Sequence, residues 1–380
     1  MRNSIFISSL ITLLFTSCNP DENLLENPIN SMPAIQHTKL IQDNFENTPI
    51  VVVANKTDNF IVSYESRLPD GTQLTFEAIQ VGAKIIMQDT EGNKWNFMGE
   101  CVEGLRTGTQ LIPLNNWMGY WFALSSFYPN AEIYGEPLVN ESYIPNPPSS
   151  GWLIHRNDVY VGAPRDGIVA IDNPEFYRVG DFIKPDSTIN TSNYLQDSTL
   201  VVGIHVNGEY KAYPHSVLNW HEIVNDNIGG KPISIMYCPL TGTASAWSRV
   251  INGQETTFGV SGFLYNNNVI PYDRLTNSNW QQVKTQCVQG SLASTIPQTY
   301  PVVETRWDTW SQMFPTTLVL SDNTPQGHDC GFFPYGTYET NPRLAFPTIF
   351  SDNRRFVKER VHAIIINGKA KIYPFDVFEE

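Results

Sequence analysis

Apolar residues along the chain fall into short runs separated by turn residues, a pattern typical of β-strands. The clearest example is residues 200–206 and 210–213, which flank Asn207-Gly208, a dipeptide that favours a two-residue hairpin turn. The same pattern predicts strands over residues 233–237, 243–250, 256–260 and 268–272. Apolar residues at helical spacing predict short helices over residues 116–127, 216–226 and 304–314. We therefore predict an α+β fold in which strands dominate.

The chain also resembles itself at two offsets, which indicates an internal repeat. Four residues recur 184 to 186 positions later: Asp89, Trp95, Cys101 and Gly104 correspond to Asp273, Trp280, Cys287 and Gly290. Residues 204–208 and 211–214 recur 160 positions later, at 364–368 and 371–374. Because tryptophan and cysteine are infrequent residues, the matches favour duplication over the alternative, a chance similarity of turn-rich β segments.

The two offsets together predict an internally duplicated, two-lobe domain. The first lobe comprises residues 38–135 and is completed by residues 360–380, as in a circular permutant whose seam joins the two chain ends. The second lobe comprises residues 200–320 and carries the candidate site. Residues 136–199 connect the lobes, and residues 321–359 form a loop-rich segment.

The first residues predict that the protein is located at the cell envelope. Residues 1–17 combine a positive charge with an apolar run too short to span a bilayer, which is typical of a signal peptide. They lead into Cys18 and resemble the lipobox of bacterial lipoproteins, in which the cysteine carries acyl chains. Residues 18–37 would be the lipidated N terminus and a tether. We expect an outer membrane lipoprotein of a Gram-negative bacterium, periplasmic or surface-exposed and held by lipid alone; the alternative is an ordinary secretory signal.

Composition and charge exclude several classes of protein. Hydrophobic residues make up 41% of the chain and charged residues 16%, so a large core is available and global disorder is excluded. The formal net charge of −14 argues against nucleic acid as a partner, because phosphate binding needs a basic surface. No phosphate-binding glycine loop, Gly-x-Ser-x-Gly elbow or His-Glu-x-x-His helix is present, so P-loop, α/β-hydrolase and zincin chemistry is excluded.

The candidate site centres on Cys238, where a predicted buried strand opens into a Pro-Leu-Thr-Gly-Thr loop. Backbone N–H groups of such a loop can form an anion nest and lower the pKa of a thiol. His221 would serve as base or ligand, with Glu222 or Asp226 orienting its other ring nitrogen. A Cys–His pair is the minimum for an activated sulfur nucleophile. We therefore predict Cys238 as nucleophile or soft-metal ligand.

Several motifs of this region resemble the bacterial family catalogued as domain of unknown function 3179. They are Asn219-Trp220-His221-Glu222, Tyr237-Cys238-Pro239-Leu240-Thr241-Gly242, Phe258-Gly259-Val260-Ser261-Gly262 and Tyr272-Asp273-Arg274. The resemblance spans residues 160–380, and residues 95–128 resemble a further segment of the same family. The family brings no established activity, so the resemblance implies membership and leaves open whether the protein is an enzyme.

One family motif bears on the chemistry of the site. Many members carry a second thiol or selenocysteine in a Cys-Pro-Leu-Cys-like segment, which implies redox or soft-metal chemistry. Here Thr241 stands at the position of that second thiol. The resemblance places a further segment at residues 328–331, so we predict His328 and Cys330 as partners of Cys238 and His221 around copper or zinc. The pocket would also be lined by Thr241, Asp273 and Arg274.

Alternatives to this site stay open. Cys238 is otherwise a small buried core residue or the partner of Cys330 in a disulfide, and Cys101 and Cys287 are either matching core residues or a bridge. The alternative function is a non-catalytic surface lipoprotein that binds a glycan or peptide on an aromatic face. The helical spacing of the aromatic residues instead favours core packing; they include Trp117, Trp121, Trp307 and Trp310.

Overall fold

Strands dominate the computed structural model, which describes residues 38–81, 84–139, 143–179, 194–324 and 326–379. Within those residues the strands pair into seven sheets, and the three α-helices are each seven residues long. The predicted β-dominated fold is therefore confirmed. No helix of the described ranges is long and apolar enough to cross a membrane. The predicted signal peptide, Cys18 and the tether lie outside the described residues.

The elements occur in the following order along the chain. The strands of the first half are β1 Thr38–Phe45, β2 Thr48–Asn55, β3 Phe60–Glu65, β4 Phe76–Val81, β5 Ile85–Asp89, β6 Lys94–Trp95, β7 Cys101–Glu103, β8 Asn116–Tyr120, β9 Glu132–Ile133, β10 Val159–Val161 and β11 Phe176–Arg178. Those of the second half are β12 Leu200–Val206, β13 Glu209–Pro214, β14 Ile223–Ile228, β15 Lys231–Cys238, β16 Thr243–Ser248, β17 Val250–Ile251, β18 Gln254–Glu255, β19 Phe258–Tyr265, β20 Asn268–Asp273, β21 Asn279–Gln281, β22 Gln286–Gln289, β23 Thr299–Tyr300, β24 Val303–Arg306, β25 Leu318–Leu320, β26 Arg360–Ile366 and β27 Lys369–Pro374. The helices are α1 Trp121–Phe127, α2 His215–His221 and α3 Trp307–Met313, and 3₁₀ turns cover Arg156–Asp158 and Phe375–Phe378.

Two sheets are each built around an Asn-Gly hairpin. β12 and β13 pair across Asn207 and Gly208, whose φ angles of 50° and 84° suit the predicted two-residue turn. β24 pairs antiparallel with β12, and β25 pairs parallel with β13. β26 and β27 form the other hairpin at Asn367 and Gly368, with β8 antiparallel to β26 and β9 parallel to β27. The two four-strand arrangements have the same order and orientations.

Four of the five remaining sheets also form similar pairs, and the two-stranded sheet β17–β18 is the fifth. β1–β2–β3 and β14–β15–β16 are antiparallel ladders, and so are β4–β5–β6–β7 and β19–β20–β21–β22. In the latter two, an indole N–H donates to a buried carboxylate: Trp95 to Asp89 at 3.1 Å and Trp280 to Asp273 at 3.0 Å. The connecting segment 136–199 adds β10 to the edge strand β19, and β11 to β25.

The predicted helix over residues 216–226 is wrong in its second half. α2 ends at His221, and the residues that follow Glu222 form β14 instead. Glu222 has a φ of 57°, which ends the helix, and β14 then pairs along its length with β15. The predicted helices over 116–127 and 304–314 likewise begin as strands β8 and β24. In all three places, sheet pairing overrides an apolar periodicity that suits a helix.

Aromatic and sulfur-containing side chains lie mainly in the core. The four tryptophans named above as core candidates are all buried, so they provide no exposed aromatic face for a glycan or peptide. Cys101, Cys238, Cys287 and Cys330 are all buried and free. Neither the Cys238–Cys330 disulfide nor a bridge between Cys101 and Cys287 is therefore formed. Cys101 and Cys287 are core residues.

Candidate functional site

An apolar cavity of about 230 Å³ lies between the β19–β20 hairpin and the loop after β15. Strands β19 and β20, the residues after β10, the start of β14 and a later segment at 335–346 form its walls. The lining residues are Gly162, Ala163, Ile168, Glu222, Ile223, Leu240, Val260, Gly262, Phe263, Leu264, Val269, Ile270, Pro271, Tyr335, Ala345 and Phe346. Ala345 is exposed, so the cavity reaches the protein surface there.

Glu222 is the one acidic residue of this lining. Glu222 is only 5% exposed. No described residue donates a hydrogen bond to its carboxyl group. Burial raises the pKa of Glu222 to about 8, because a carboxylate loses its hydration in apolar surroundings. At neutral pH the group is therefore mainly protonated, and it changes charge close to physiological pH. Such groups concentrate at functional sites.

The backbone holds Glu222 at the cavity wall in a conformation that favours glycine. Its N–H donates to the Leu218 carbonyl at 2.8 Å and completes the end of α2. Its own carbonyl accepts the Tyr237 N–H at 2.7 Å and starts the ladder between β14 and β15. A positive φ at a residue with a side chain costs about 1–3 kcal/mol and persists only where the surrounding structure imposes it.

Cys238 lies behind the cavity wall, at the end of β15. It is fully buried in a cluster with Leu240, Leu264, Val269 and Phe346, which all line the cavity. Its thiol donates to the Asn267 carbonyl at 3.4 Å. Burial, with a smaller contribution from the Glu222 charge, raises the pKa of Cys238 to about 12. The expected anion nest therefore does not produce a thiolate at neutral pH.

His221 makes hydrogen bonds that differ from those we expected. Its Nδ1 lies 2.7 Å from the Val169 carbonyl and donates to it, and its Nε2 lies 3.1 Å from the Thr324 hydroxyl. Burial lowers the pKa of His221, so the ring is neutral and Nε2 accepts from Thr324. Neither Glu222 nor Asp226 orients this ring. The Asp226 carboxylate instead accepts from Lys211 and Tyr213, at 2.8 and 2.6 Å.

The predicted copper or zinc site is not assembled. His328 stacks on Trp220 with ring centroids 4.5 Å apart, and its ring centroid is 5.4 Å from that of His221. Cys330 is buried, and burial raises its pKa to about 12. Among the described residues no group of three or more His, Cys, Asp or Glu side chains is placed to hold a metal ion.

The other predicted pocket residues have structural partners and do not line the cavity. The Thr241 hydroxyl bonds with Thr243 and accepts from Asn268, both at 2.9 Å. Asp273 accepts from Trp280 as described above. Arg274 donates to Asp172 at 2.6 Å.

The cavity is covered by residues of the loop-rich segment 321–359, among them Tyr335 and Phe346. The Tyr338 hydroxyl donates to the Leu240 carbonyl at 3.0 Å. Asn267 holds Phe346 through both of that residue's backbone groups, at 2.8 Å each. The ammonium group of Lys358 donates to the carbonyls of three residues of this segment within 2.8 Å. The signal for this cover is the density of aromatic residues in an otherwise irregular segment.

The comparison with protein families matches a family of unknown function. The family model described as "Protein of unknown function (DUF3179)" matches residues 29–131 and 165–380. No curated protein and no solved structure matches the chain.

The burial of the four thiols leads to a prediction about their reactivity. In the full chain carrying Cys18→Ser, we expect all four remaining thiols to react slowly with a chromogenic disulfide reagent at pH 7.5. After denaturation in guanidinium all four should react fast, because unfolding exposes them and restores ordinary thiol pKa values. The release of the coloured thiolate measures both rates. One fast thiol that disappears in Cys238→Ala but not in Cys287→Ala would instead support Cys238 as a nucleophile.

The raised pKa of Glu222 predicts a pH dependence of stability. From about pH 4.5 to 8 the native protein holds a proton that the unfolded chain releases, so the free energy of unfolding falls as pH rises. In Glu222→Gln this decrease should be absent, and the difference between the two proteins should grow by about 1.4 kcal/mol per pH unit across the window.

Urea unfolding of both proteins at pH 5, 7 and 9 measures this difference. Glu77→Gln is the matched control, because it makes the same chemical change at a carboxyl group that is exposed to solvent. Parallel stability profiles for the Glu222→Gln variant and the unmodified protein would contradict the prediction.

Proposed function

Because this chain belongs to the DUF3179 family, whose description names no activity, we propose a function from the cavity itself. The protein binds a small, largely apolar organic molecule beside Glu222. The observation that carries this proposal is an apolar cavity whose wall holds one carboxyl group without a hydrogen-bond donor from the described residues. Ligand sites commonly combine apolar walls with a few placed polar groups.

Stability arguments support the same proposal. A carboxyl group with reduced hydration and a strained backbone both destabilise the fold, and they coincide at Glu222. A glycine would fulfil the backbone role of this residue without either cost. Residues whose local preferences disagree with the fold in this way are expected at functional sites.

Binding is favoured over the thiol- or metal-centred chemistry expected from the sequence. A nucleophilic cysteine needs a lowered thiol pKa and a base within reach, whereas the pKa of Cys238 is raised and both nitrogens of His221 have other partners. We therefore assign Cys238 to the apolar packing behind the cavity.

We propose in addition that the chain is an internally duplicated protein with a circular-permutation-like seam. Its lobes would be residues 38–135 with 360–380, and residues 200–320. The pairing of Tyr120 with Arg360 and that of Arg306 with Leu200 occur at the offsets found in the sequence, which supports this proposal. Lys39 would then correspond to Glu222, so the chemistry of the cavity would belong to the second lobe alone.

We also propose the cellular location inferred from residues 1–18, an outer membrane lipoprotein that is periplasmic or surface-exposed. In a Gram-negative host, the full chain should incorporate radiolabelled palmitate and sediment with membranes. Cys18→Ser should abolish both properties, because Cys18 would carry the acyl chains. Cys330→Ser is the matched control and should keep the label. A labelled Cys18→Ser variant would contradict the proposal.

The binding function is tested with a neutral bicyclic probe, 1-naphthylmethanol. We expect saturable binding to the full chain in a fluorescence titration. Ala345→Trp should weaken binding at least tenfold, because a large ring at this exposed lining residue fills the entrance. Leu105→Trp, which adds the same ring at a residue 97% exposed and outside the lining, should leave the affinity unchanged. An absence of binding, or equal affinities in both variants, would overturn the proposal.

A further inference from the structure

We propose that the cavity selects an organic ammonium ion, an apolar body that carries a primary or substituted amine, which Glu222 and Tyr335 bind. This inference rests on the proposed binding function and names the chemical class of its ligand. Three observations support it: two polar groups of the lining lack partners, aromatic rings line the same cavity, and the protein carries a negative net charge.

Two acceptor groups of the cavity lack partners. The Glu222 carboxyl receives no hydrogen bond from a described residue, and the same is true of the Tyr335 hydroxyl oxygen. The two groups are near enough for the Glu222 charge to raise the pKa of Tyr335, after the larger effect of burial. The lining contains no Lys, Arg or His, so the carboxyl has no counter-ion there. An ammonium group supplies both the charge and the donors.

The aromatic residues of the lining favour the same ligand class. Tyr335 and Phe346 of the covering segment both line the cavity. The face of an aromatic ring attracts cations through its quadrupole, and this attraction is stronger when the cation is desolvated. A carboxylate accompanied by aromatic rings in an apolar cavity is therefore suited to an alkylammonium or arylalkylammonium ion. An anionic ligand would leave Glu222 in its neutral form and would find no cationic side chain in the lining.

The charge of the whole chain supports the selection. The formal net charge is −14, which raises the local concentration of cations and speeds their approach. A neutral molecule gains nothing from this field, and an anion is repelled.

Binding of an ammonium ion must displace a proton at neutral pH. The free cavity holds Glu222 mainly as the neutral acid, because its pKa is about 8. The bound cation stabilises the carboxylate, so the carboxyl proton passes to solvent while no covalent bond to the ligand forms or breaks. The affinity for an ammonium ion should therefore rise about tenfold per pH unit between pH 5 and 7, and level off above pH 8.

The experiment compares two probes of nearly the same shape, 1-naphthylmethylamine and the neutral 1-naphthylmethanol, on the full chain. At pH 8 the amine should bind at least tenfold more tightly than the alcohol. In Glu222→Gln the preference should disappear while the alcohol still binds, and Glu77→Gln should keep the preference. Equal affinities for the two probes in the unmodified protein would overturn the ammonium class and leave the binding function intact. Absence of binding by both probes would overturn the binding function itself.

A second measurement needs no variant. Calorimetric titration with the amine at pH 6.5, in buffers of different ionisation enthalpy, reports the protons released on binding. We expect nearly one proton per bound amine and none per bound alcohol. Amine binding without proton release would overturn the role of Glu222 even if the Glu222→Gln variant fails to fold.

Discussion

A carboxyl group held without a donor in an apolar wall is the constraint around which this part of the molecule is organised. Glu222 occupies the single residue between the end of α2 and the start of β14, and its two backbone hydrogen bonds fix both elements. These bonds fix the backbone from which the side chain extends. The cavity, the raised pKa and the strained φ are therefore consequences of one arrangement, and a ligand that compensates the charge would stabilise the whole junction.

Much of the fold could be predicted where local signals and tertiary contacts agree. The Asn207-Gly208 hairpin fixes its own register, and residues 233–238 of β15 are buried on both faces, as in a central strand of a sheet. The prediction failed where a segment satisfies two periodicities at once. Ile223 and Val224 continue the helical spacing of Val217 and Trp220, yet the reversal at Glu222 and the ladder with β15 place them in a strand. No pattern in the neighbouring sequence predicts a positive φ at a glutamate.

The candidate site was predictable in place but not in chemistry. The region of His221, Glu222 and Cys238 stands out in the sequence, and a pairing of sulfur with imidazole is the simplest use of those residue types. The structure gives His221 a carbonyl and a hydroxyl as partners and buries Cys238 behind the wall. The aromatic density of the covering segment indicates that it packs on another part of the protein. It does not indicate which part, because Tyr335 and Phe346 lie about a hundred residues further along the chain.

The pairing of β8 with β26 has a consequence for how the chain is made. Tyr120 and Arg360 are 240 residues apart, so a ribosome completes β8 and α1 long before their partner strand is translated. During that interval the nascent chain carries Trp117 and its apolar neighbours uncovered, and no contact with later residues protects them. Until β26 is made, the early strands are open to association with the wrong strand edge.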